Sequence, residues 1–485
     1  MVKLKDILFG VNLLEIEGER NVKIRNISFD SRFIQSGDLF IAVRGLSVDG
    51  HDYIDQAIQA GAVSVICEDL PSSFDSAVTY VKTGNSSTAL GIVASNFYGN
   101  PSIKIELVGI TGTNGKTTTA TLLYDLFQHL GYKTGLISTV ENRIGQKLSP
   151  AKFTTPDAIQ LNALLAKMVD QGCTHCFMEV SSHALVQNRV KGVKFVGAVF
   201  TNISHDHLDY HGTFDAYIAA KKILFDELSA EAFALVNVDD RRGQIMLQNT
   251  KAAKHTYAIK SVADYKARIL SNSLQGLQLD VAGQDVWFQL IGNFNAYNLL
   301  SAYAVATLLG EEKEAVLASL SSLKGAKGRF EQVTNEEGVM AIVDYAHTPD
   351  ALENVLKTVD QLRTKNELFV TVVGCGGDRD KSKRPEMARI AVKLSDKVIF
   401  TSDNPRTEDP EKILDDMFQG VPKSEMRKAM RVTDRKEAIR IACNLVQADD
   451  IVLVAGKGHE DYQEINGIRS HFDDREILNE ILNPS

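Results

Sequence analysis

The chain has 485 residues, of which 44% are hydrophobic and 24% are charged, a balance typical of soluble globular proteins. This composition excludes collagen-like, coiled-coil and disordered chains, and the length predicts about three domains. The net charge of −9 argues against a nucleic-acid-binding protein, which would carry a basic surplus. No apolar run approaches the ~20 residues that span a bilayer, and the N-terminus lacks a secretory signal. We therefore expect a cytoplasmic protein without a membrane span.

The five cysteines, at positions 67, 173, 176, 375 and 443, are odd in number and scattered, which favours reduced thiols. Cys173 and Cys176 form a CxxC pair, but no second pair completes a zinc site. We interpret both as buried small apolar residues.

Three segments of the chain differ in their apolar patterns. Residues 1–99 alternate short apolar runs, at 39–43 and 62–66, with turns. Residues 100–328 open with an apolar run at 105–110, a glycine-rich turn and a helical pattern that ends at Gly131. Further strand candidates in this segment lie at 176–180 and 198–202.

The third segment, residues 329–485, repeats a strand–helix alternation. Its strand candidates lie at 339–344, 368–374, 397–401 and 450–455. Continuous apolar strands that alternate with helices predict an α/β fold with parallel sheets, whose ligands bind at the carboxyl ends of the strands.

The strongest local signal is the run Gly109–Thr119, which has the composition and the context of a phosphate-binding loop. The strict pattern places glycine six residues before the lysine, but Ile110 stands there and Gly109 precedes it. The alternative is a glycine-rich turn with an exposed lysine. Such a loop occurs in nucleotide switches, motors, kinases and ligases, so it does not name a reaction. The predicted nucleotide-binding residues here are Thr111, Gly112, Thr113, Asn114, Gly115, Lys116, Thr117 and Thr118.

The version of the loop that this chain carries resembles that of the Mur ligases, and further motifs along the chain support the resemblance. They include the runs at 30–32, 37–40, 49–51, 154–156, 179–183, 202–211, 292–295, 328–331, 344–349, 403–406 and 456–460. The resemblance implies a three-domain α/β architecture. Residues 1–99 would bind the UDP substrate, 100–328 would form the central P-loop ATPase domain, and 329–485 a Rossmann-like domain for the incoming amino acid.

The resemblance also implies a reaction in peptidoglycan precursor synthesis. ATP would phosphorylate the D-glutamate carboxylate of UDP-N-acetylmuramoyl-L-alanyl-D-glutamate, and meso-diaminopimelate would attack the acyl phosphate. The alternatives are an L-lysine-adding homologue, folylpolyglutamate synthase and, from another class, a P-loop switch that only binds partners. A monomer that binds no nucleic acid is expected.

The Thr117 hydroxyl of the phosphate loop can bind Mg²⁺. The resemblance assigns Glu179 and His207 to Mg²⁺ as well, and makes Lys221 a carbamate, formed with CO₂, that binds a second Mg²⁺. Hard oxygen ligands suit triphosphate chemistry with Mg²⁺. The alternatives are a surface carboxylate for Glu179 and a turn histidine or zinc ligand for His207. For Lys221 the alternative is that it and its neighbour Lys222, in the helical pattern at 214–225, are both solvated. A carbamate needs the neutral amine, so burial or a nearby cation must lower the lysine pKa.

The remaining assignments also follow from the resemblance. Near the nucleotide it places Asn293, Arg329 and Asp344, with His347 as a catalytic residue; ordinary turn chemistry is the alternative. For the UDP substrate it indicates Ser31, Leu46, Ser47, Val48, Thr154, Thr155, Ser181, Gln187 and Arg189. Arg189 has the geometry to bind a carboxylate or pyrophosphate with two hydrogen bonds; a surface arginine is the alternative.

The resemblance places diaminopimelate in a pocket of the third segment. Arg406 would bind its distal carboxylate with two hydrogen bonds, and Glu460 its distal ammonium. The alternative is that Arg406 pairs with Glu408 or Asp409 on the surface. The run 374–379 resembles a dinucleotide fingerprint but has arginine in place of its third glycine, so we reject NAD binding. The predicted pocket residues are Arg379, Asp403, Asn404, Pro405, Arg406, Gly456 and Glu460.

Overall fold

A computed structural model describes residues 1–45, 48–204 and 208–483 of the chain. Its contacts divide the chain into two compact units, Met1–Lys116 with Leu123–Tyr257, and Thr117–Leu122 with Ala258–Ser485. Most of the central segment therefore belongs to the first unit, and its last part is grouped with the C-terminal third. The predicted domain boundaries at 99/100 and 328/329 stay a prediction.

The N-terminal part of the first unit is a mixed sheet covered on both faces. Its elements are β1 Val2–Lys3, α1 Leu4–Ile7, β2 Leu13–Glu17, β3 Lys23–Ile24, β4 Ile27–Ser28, the 3₁₀ helices Ser31–Phe33 and Gly50–Tyr53, β5 Asp38–Ile41, α2 Ile54–Gln59, β6 Ala62–Cys67, β7 Thr79–Thr83 and α3 Ser86–Phe97. The sheet order is β2-β7-β6-β5-β4, with parallel pairing from β4 to β7. Leu39 and Ile41 join one apolar cluster and Phe40 joins the other, the alternation of a strand buried on both faces.

The central part of the first unit is a largely parallel sheet. Its elements are the 3₁₀ helix Pro101–Ile103, β8 Glu106–Thr111, α4 Lys116–His129, β9 Thr134–Ile137, β10 Glu141–Ile144, β11 Lys147–Pro150, α5 Ala158–Asp170, β12 His175–Glu179, α6 Ser182–Val186, β13 Gly197–Phe200, α7 Leu208–His211, α8 Phe214–Asp226, β14 Phe233–Asn237, α9 Gly243–Met246 and β15 Ala253–Ala258. The order β9-β12-β8-β13-β14 is parallel throughout. The carboxyl ends of β12, β8 and β13 are therefore neighbours, and the predicted phosphate loop follows the middle one.

The second unit begins with an antiparallel meander and two helices. These elements are β16 Tyr265–Ser273, β17 Gly276–Val281, β18 Gln284–Phe288, α10 Asn293–Leu308 and α11 Lys313–Ser322. β17 pairs with both other strands. α10 is apolar on most of its surface, and Leu299, Leu300 and Val305 are almost fully buried along it.

The C-terminal part of the second unit is an α/β sheet. Its elements are β19 Glu331–Thr334, β20 Met340–Asp344, α12 Pro349–Leu362, β21 Phe369–Val373, α13 Lys383–Leu394, β22 Lys397–Phe400, α14 Pro410–Phe418, the 3₁₀ helix Lys423–Lys428, β23 Ala429–Arg431, α15 Arg435–Leu445, β24 Ile451–Ala455, β25 Tyr462–Ile465, β26 Ile468–His471 and α16 Asp474–Leu482. The sheet order is β19-β20-β24-β21-β22-β23, parallel except for β19. Leu352, Leu356 and Val359 of α12 form a stripe at helical spacing that packs on one face. Ala438 and Ile439 of α15 cover the other face.

The predicted α/β class is confirmed, and the predicted strands lie within one or two residues of the observed ones. All five cysteines are free and buried. Cys173 and Cys176 belong to the apolar core of the central sheet, as interpreted. Across the described ranges, no helix has the length and apolar character to cross a bilayer.

A buried ion pair joins α15 to α16 at the carboxyl end of β24. Arg435 donates to both carboxylate oxygens of Asp474, at 2.8 and 2.7 Å, and both side chains are fully buried. The same guanidinium donates to the carbonyl oxygen of Ala455 at 3.0 Å. The arginine thus ties the end of β24 to α16.

Replacing Arg435 with methionine is expected to lower the free energy of unfolding by about 3–5 kcal/mol, because Asp474 then stays buried without its partner. Urea unfolding followed by circular dichroism measures the effect. The double variant Arg435→Met/Asp474→Leu removes both charges and is expected to recover most of the loss. A single variant with an unchanged unfolding transition would show that the pair contributes nothing.

Candidate active site

The predicted phosphate loop forms a tight turn between β8 and α4. Gly112 (φ +152°) and Gly115 (φ +85°) adopt backbone conformations that favour glycine. A Cβ atom at Gly112 would overlap Oγ1 of Thr201. Lys116 begins α4, and its Nζ donates to the carbonyl oxygens of Gly112 and Thr113, each at 2.8 Å. The lysine therefore folds back over the loop, at the helix N-terminus where an anion is favoured.

The segment after β13 holds the loop in place, a contact that the sequence analysis did not assign. The backbone carbonyl of Asn202 accepts a bond from the Thr113 amide at 2.8 Å. The side chain of Asn202 accepts from the Asn114 amide at 3.0 Å and donates to the Asn114 carbonyl at 3.1 Å. Thr201 Oγ1 donates to the same carbonyl at 2.6 Å. These bonds hold the shape of the loop without a ligand. The sequence contained one indication of this contact, since Asn202 is the first residue of the motif at 202–211.

Lys221 and Lys222 have different environments on α8. Lys221 is 1% exposed; its Nζ donates to the carbonyl oxygen of Gly112 at 2.9 Å and lies 4.5 Å from the centre of the Tyr217 ring. Lys222 pairs with Asp226, one helical turn further on. The interpretation of Lys221 as a solvated lysine is therefore wrong, because its side chain is buried and contacts the phosphate loop.

Glu179 ends β12 and is 1% exposed, so the surface-carboxylate alternative is wrong. Its Oε1 accepts a bond from the Thr139 amide at 2.7 Å, and its Oε2 accepts from the Thr139 hydroxyl at 3.2 Å. Among the described residues, no lysine, arginine or histidine pairs with it. A buried carboxylate supported only by neutral donors suits a cation as its further partner. His207, the other proposed ligand, lies outside the described residues.

Four of the residues predicted for the UDP substrate, Thr155, Ser181, Gln187 and Arg189, form one hydrogen-bond network beside Glu179. Thr155 Oγ1 donates to the Glu179 carbonyl at 2.8 Å and accepts from the Ser181 amide at 3.1 Å. Arg189 donates to the Thr155 carbonyl at 2.9 Å and, through two nitrogens, to Gln187 Oε1 at 3.0 and 2.6 Å. Burial lowers the pKa of Arg189. The guanidinium is partly buried and bonded within the network, so the interpretation of Arg189 as an ordinary surface arginine is wrong.

Thr154 joins the same network, because its Oγ1 lies at hydrogen-bond distance, 3.0 Å, from the Thr139 hydroxyl oxygen. Ser31 belongs to a different set of contacts: it is buried, and its hydroxyl donates to Gln56 Oε1 at 3.1 Å. Val48 is 55% exposed, and Leu46 and Ser47 lie outside the described residues.

In the second unit, three of the predicted nucleotide residues meet around Tyr345. The Arg329 guanidinium lies 4.7 Å from the centre of the Tyr345 ring, and its Nη2 lies 3.4 Å from Oγ1 of Thr117, which the contacts group with the same unit. His347 Nδ1 donates to the Tyr345 carbonyl oxygen at 2.8 Å. Burial raises the pKa of Asp344 to about 6, although Arg329 opposes the shift. This raised pKa and the clustered cation are features of a binding site.

Asn293 begins α10 and is exposed. Its side-chain oxygen accepts a bond from Asn272 at 3.0 Å, and Asn272 in turn accepts from the Gly292 amide at 3.1 Å. Asn293 therefore stands at the start of its helix with its amide group oriented by a neighbour.

The predicted diaminopimelate residues come together where β21 and β22 end. A Cβ atom at Gly377 would overlap the Pro405 carbonyl, so the two loops approach as closely as glycine allows. Arg406 adopts a left-handed backbone conformation (φ +52°), and its Nη1 donates to the Gly377 carbonyl at 2.6 Å. Arg379, on the same loop as Gly377, is exposed.

Glu408, one of the two alternative partners of Arg406, is engaged elsewhere. Glu408 binds Arg384 at 2.8 Å and accepts from the Asp378 amide at 2.6 Å. The Arg384 side chain lowers the pKa of Glu408 to about 2. The guanidinium of Arg406 instead faces the loop of Gly377.

The inner wall of this pocket is polar and buried, with Asp403 and Asn404 only 8% and 1% exposed. Asn404 Nδ2 donates to Glu460 Oε2 at 2.7 Å. A Cβ atom at Gly456 (φ +116°) would contact Asp403 Oδ2 at 2.7 Å, which explains the glycine there. Lys457, a residue that we had not assigned to the site, donates to Asn404 Oδ1 at 3.2 Å and lies 3.3 Å from Glu460 Oε2. The motif at 456–460 contained the lysine, but nothing in its spacing indicated that it points inward.

Comparison with protein-family models gives three consecutive matches along the chain. Residues 23–98 match the model "Mur ligase family, catalytic domain", residues 110–306 "Mur ligase middle domain", and residues 328–458 "Mur ligase, glutamate ligase domain".

Individual relatives resemble the whole chain. The UDP-N-acetylmuramoyl-L-alanyl-D-glutamate–2,6-diaminopimelate ligase of Cytophaga hutchinsonii is 56% identical over 99% of both chains. A solved structure of a protein with that name is 34% identical, with a TM-score of 0.72 and 99% of both chains covered. The folylpolyglutamate synthase of Mycobacterium tuberculosis is 18% identical, with a TM-score of 0.60, and covers 77% of this chain and 93% of its own, so it shares the fold alone.

Proposed function

The chain belongs to the Mur ligase family, and from this membership we propose that it adds meso-diaminopimelate to UDP-N-acetylmuramoyl-L-alanyl-D-glutamate with ATP, in peptidoglycan precursor synthesis. The observation that carries the proposal is the pocket around Arg406. It presents the Arg406 guanidinium, the buried carboxylate of Asp403 and the partly buried carboxylate of Glu460, which suits an amino acid with a distal carboxylate and a distal ammonium. The 56% identity with a diaminopimelate ligase over 99% of both chains supports it.

In the proposed reaction, the D-glutamate carboxylate attacks the γ-phosphorus of ATP and ADP leaves. The product is an acyl phosphate. The amine of diaminopimelate then attacks the acyl carbon, loses a proton, and expels inorganic phosphate from the tetrahedral intermediate. Lys116 and the backbone amides of the loop bind the phosphates and oppose their growing charge.

We propose that Thr117, Glu179 and His207 hold Mg²⁺, and that Lys221 binds a second Mg²⁺ after it reacts with CO₂ to form a carbamate. When bound, Mg²⁺ neutralises charge on the phosphate oxygens. Glu179 is buried and has no cationic partner among the residues that the structure describes, which supports its assignment. For Lys221, the support is the hydrogen bond from its nitrogen to the Gly112 carbonyl in the phosphate loop. The nitrogen bonds to carbon of CO₂ and releases a proton.

The substrate positions are proposals of the same kind. The network of Thr155 and Arg189 would hold the dipeptide end of the UDP substrate, with Arg189 facing a carboxylate or pyrophosphate. The UDP end would lie near Ser31 and residues 46–48. Asn293, Arg329 and Asp344 would bind the nucleotide, and His347 would act beside them. We further propose a monomeric protein of the cytoplasm.

One assay tests the function. Purified protein is mixed with the UDP substrate, ATP, Mg²⁺ and each member of a panel of amino acids that includes meso-diaminopimelate, L-lysine and L-glutamate. We expect phosphate release that requires both the UDP substrate and meso-diaminopimelate, with the tripeptide product identified by mass spectrometry. Preference for L-lysine would establish the lysine-adding alternative. Nucleotide hydrolysis that neither substrate changes would favour a switch.

Arg406→Ala is expected to lower kcat/KM for meso-diaminopimelate by about 100-fold, because the distal carboxylate loses a bidentate, partly buried partner. Discrimination against L-lysine, which lacks that carboxylate, should fall by a similar factor. Competition between the two amino acids measures both effects. Arg389→Ala, which removes a largely exposed arginine of α13, serves as the control. An Arg406→Ala variant that still discriminates fully would contradict the assignment.

A further inference from the structure

Lys457 is a fully buried lysine that links three parts of the proposed amino-acid pocket. Its Nζ donates to Asn404 Oδ1 at 3.2 Å, to Glu460 Oε2 at 3.3 Å and to the carbonyl oxygen of Tyr462. It also lies 5.3 Å from the centre of the Tyr462 ring. An ammonium group has three donors, and here they reach the loop after β22, the residue proposed to bind the distal ammonium, and the β25–β26 hairpin.

These bonds leave the two oxygens of Glu460 unequal. Oε2 accepts from both Asn404 Nδ2, at 2.7 Å, and Lys457 Nζ. Across residues 1–45, 48–204 and 208–483, no donor bonds to Oε1. The carboxylate is therefore fixed through one oxygen, and the other keeps its capacity to accept a bond from a ligand.

We propose that Lys457 is a positioning residue for the amino-acid substrate: it orients Asn404 and Glu460 and stabilises Glu460 as the anion that receives the distal ammonium of diaminopimelate. The inference rests on the proposed function and deepens it. In this role Lys457 acts through Glu460 and does not itself contact the substrate.

Electrostatics agrees with this role. Burial raises the pKa of Glu460, the nearby carboxylate of Asp403 raises it further, and Lys457 opposes both. Arg435, Tyr345 and Tyr462 also interact electrostatically with Glu460. Without the lysine, Glu460 would take up a proton at a higher pH than in the wild type, and the protonated form cannot attract an ammonium.

The test is the kinetics of the full-length variant Lys457→Met, which keeps the length of the side chain and removes its charge. We expect the KM for meso-diaminopimelate to rise about 10- to 100-fold, the effect of losing a hydrogen bond to a charged group. The KM values for ATP and for the UDP substrate should stay within about twofold, as should kcat. Lys436→Met, which removes an exposed lysine paired with Glu480, is the control and should behave as wild type.

The pH profile separates positioning from a general loss of structure. In Lys457→Met, the KM for diaminopimelate should begin to rise at a higher pH than in the wild type as the pH is lowered. In the background Glu460→Gln, adding Lys457→Met should raise this KM less than about threefold further, because the lysine acts through the carboxylate. A proportional loss in kcat with all three KM values unchanged, or full additivity of the two changes, would overturn the proposal.

Thermal unfolding distinguishes a loss of folding from a loss of substrate binding. Thermal unfolding is measured for Lys457→Met and for Lys457→Gln, which retains a donor; if neither folds, the lysine is structural and the proposal is overturned. If the wild type prefers another amino acid, the proposed function fails, and the KM split measured with that amino acid still decides the role of Lys457.

Discussion

Replacing Lys116 with alanine is expected to lower kcat by about 100- to 1,000-fold, which is the usual effect of losing one fixed donor to developing negative charge. The lysine stands at the N-terminus of α4, folded over a loop in which Gly112 admits no side chain. The loop backbone is held by Asn202 independently of the lysine, so the loop should keep its shape in the variant. Phosphate release with all three substrates present is the measurement.

Lys167→Ala is the matched control, because it removes an exposed lysine from α5 in the same unit. Both variants should unfold at the temperature of the wild type. Wild-type turnover by a folded Lys116→Ala protein would remove the loop from the proposed mechanism.

Replacing Lys221 with alanine is expected to leave almost no activity, and millimolar formate or acetate is expected to restore part of it. The side chain is buried against Gly112, so its removal leaves a space beside the loop that a small carboxylic acid can enter. In the proposed state the nitrogen carries a carbamate, and the added carboxylate supplies the missing oxygens. The readout is phosphate release as a function of acid concentration.

Lys222→Ala is the control that the chain itself offers, since Lys222 lies one residue away and pairs with Asp226. It should keep near-normal turnover and gain nothing from added acid. An inactive Lys222→Ala with a normal Lys221→Ala would show that the proposed carbamate position is displaced by one residue.

The sequence predicted the fold class and the strands well because parallel strands buried on both faces are continuous apolar runs. The strand predicted at 368–374 is observed at Phe369–Val373, and that at 450–455 is observed at Ile451–Ala455. The grouping of Ala258–Ser485 with Thr117–Leu122 could not be predicted, because it depends on contacts between residues far apart in the chain.

Candidate site residues were accessible to sequence analysis where a motif named them, but their partners were not. From sequence alone, Glu179 and Lys221 could be either site residues or solvated surface residues. Only their burial in the structure distinguishes the two interpretations. Lys457 stood inside a recognised motif, yet its three partners come from positions 404, 460 and 462, and only the β25–β26 hairpin brings the last of these to it.

The left-handed backbone of Arg406 restricts how the selectivity of this pocket can change by mutation. Its amide donates to the Glu464 carbonyl at 3.0 Å and its carbonyl accepts from the Asn466 amide at 2.6 Å, so the hairpin holds this conformation from both sides. Asparagine, aspartate and glycine tolerate such a φ value, whereas β-branched side chains do not. A route to a new amino-acid specificity through valine, isoleucine or threonine at this position therefore carries a folding penalty. Substitutions in the β25–β26 hairpin are the easier route to a new selectivity, because the hairpin holds the backbone of Arg406 and so determines the position of its guanidinium.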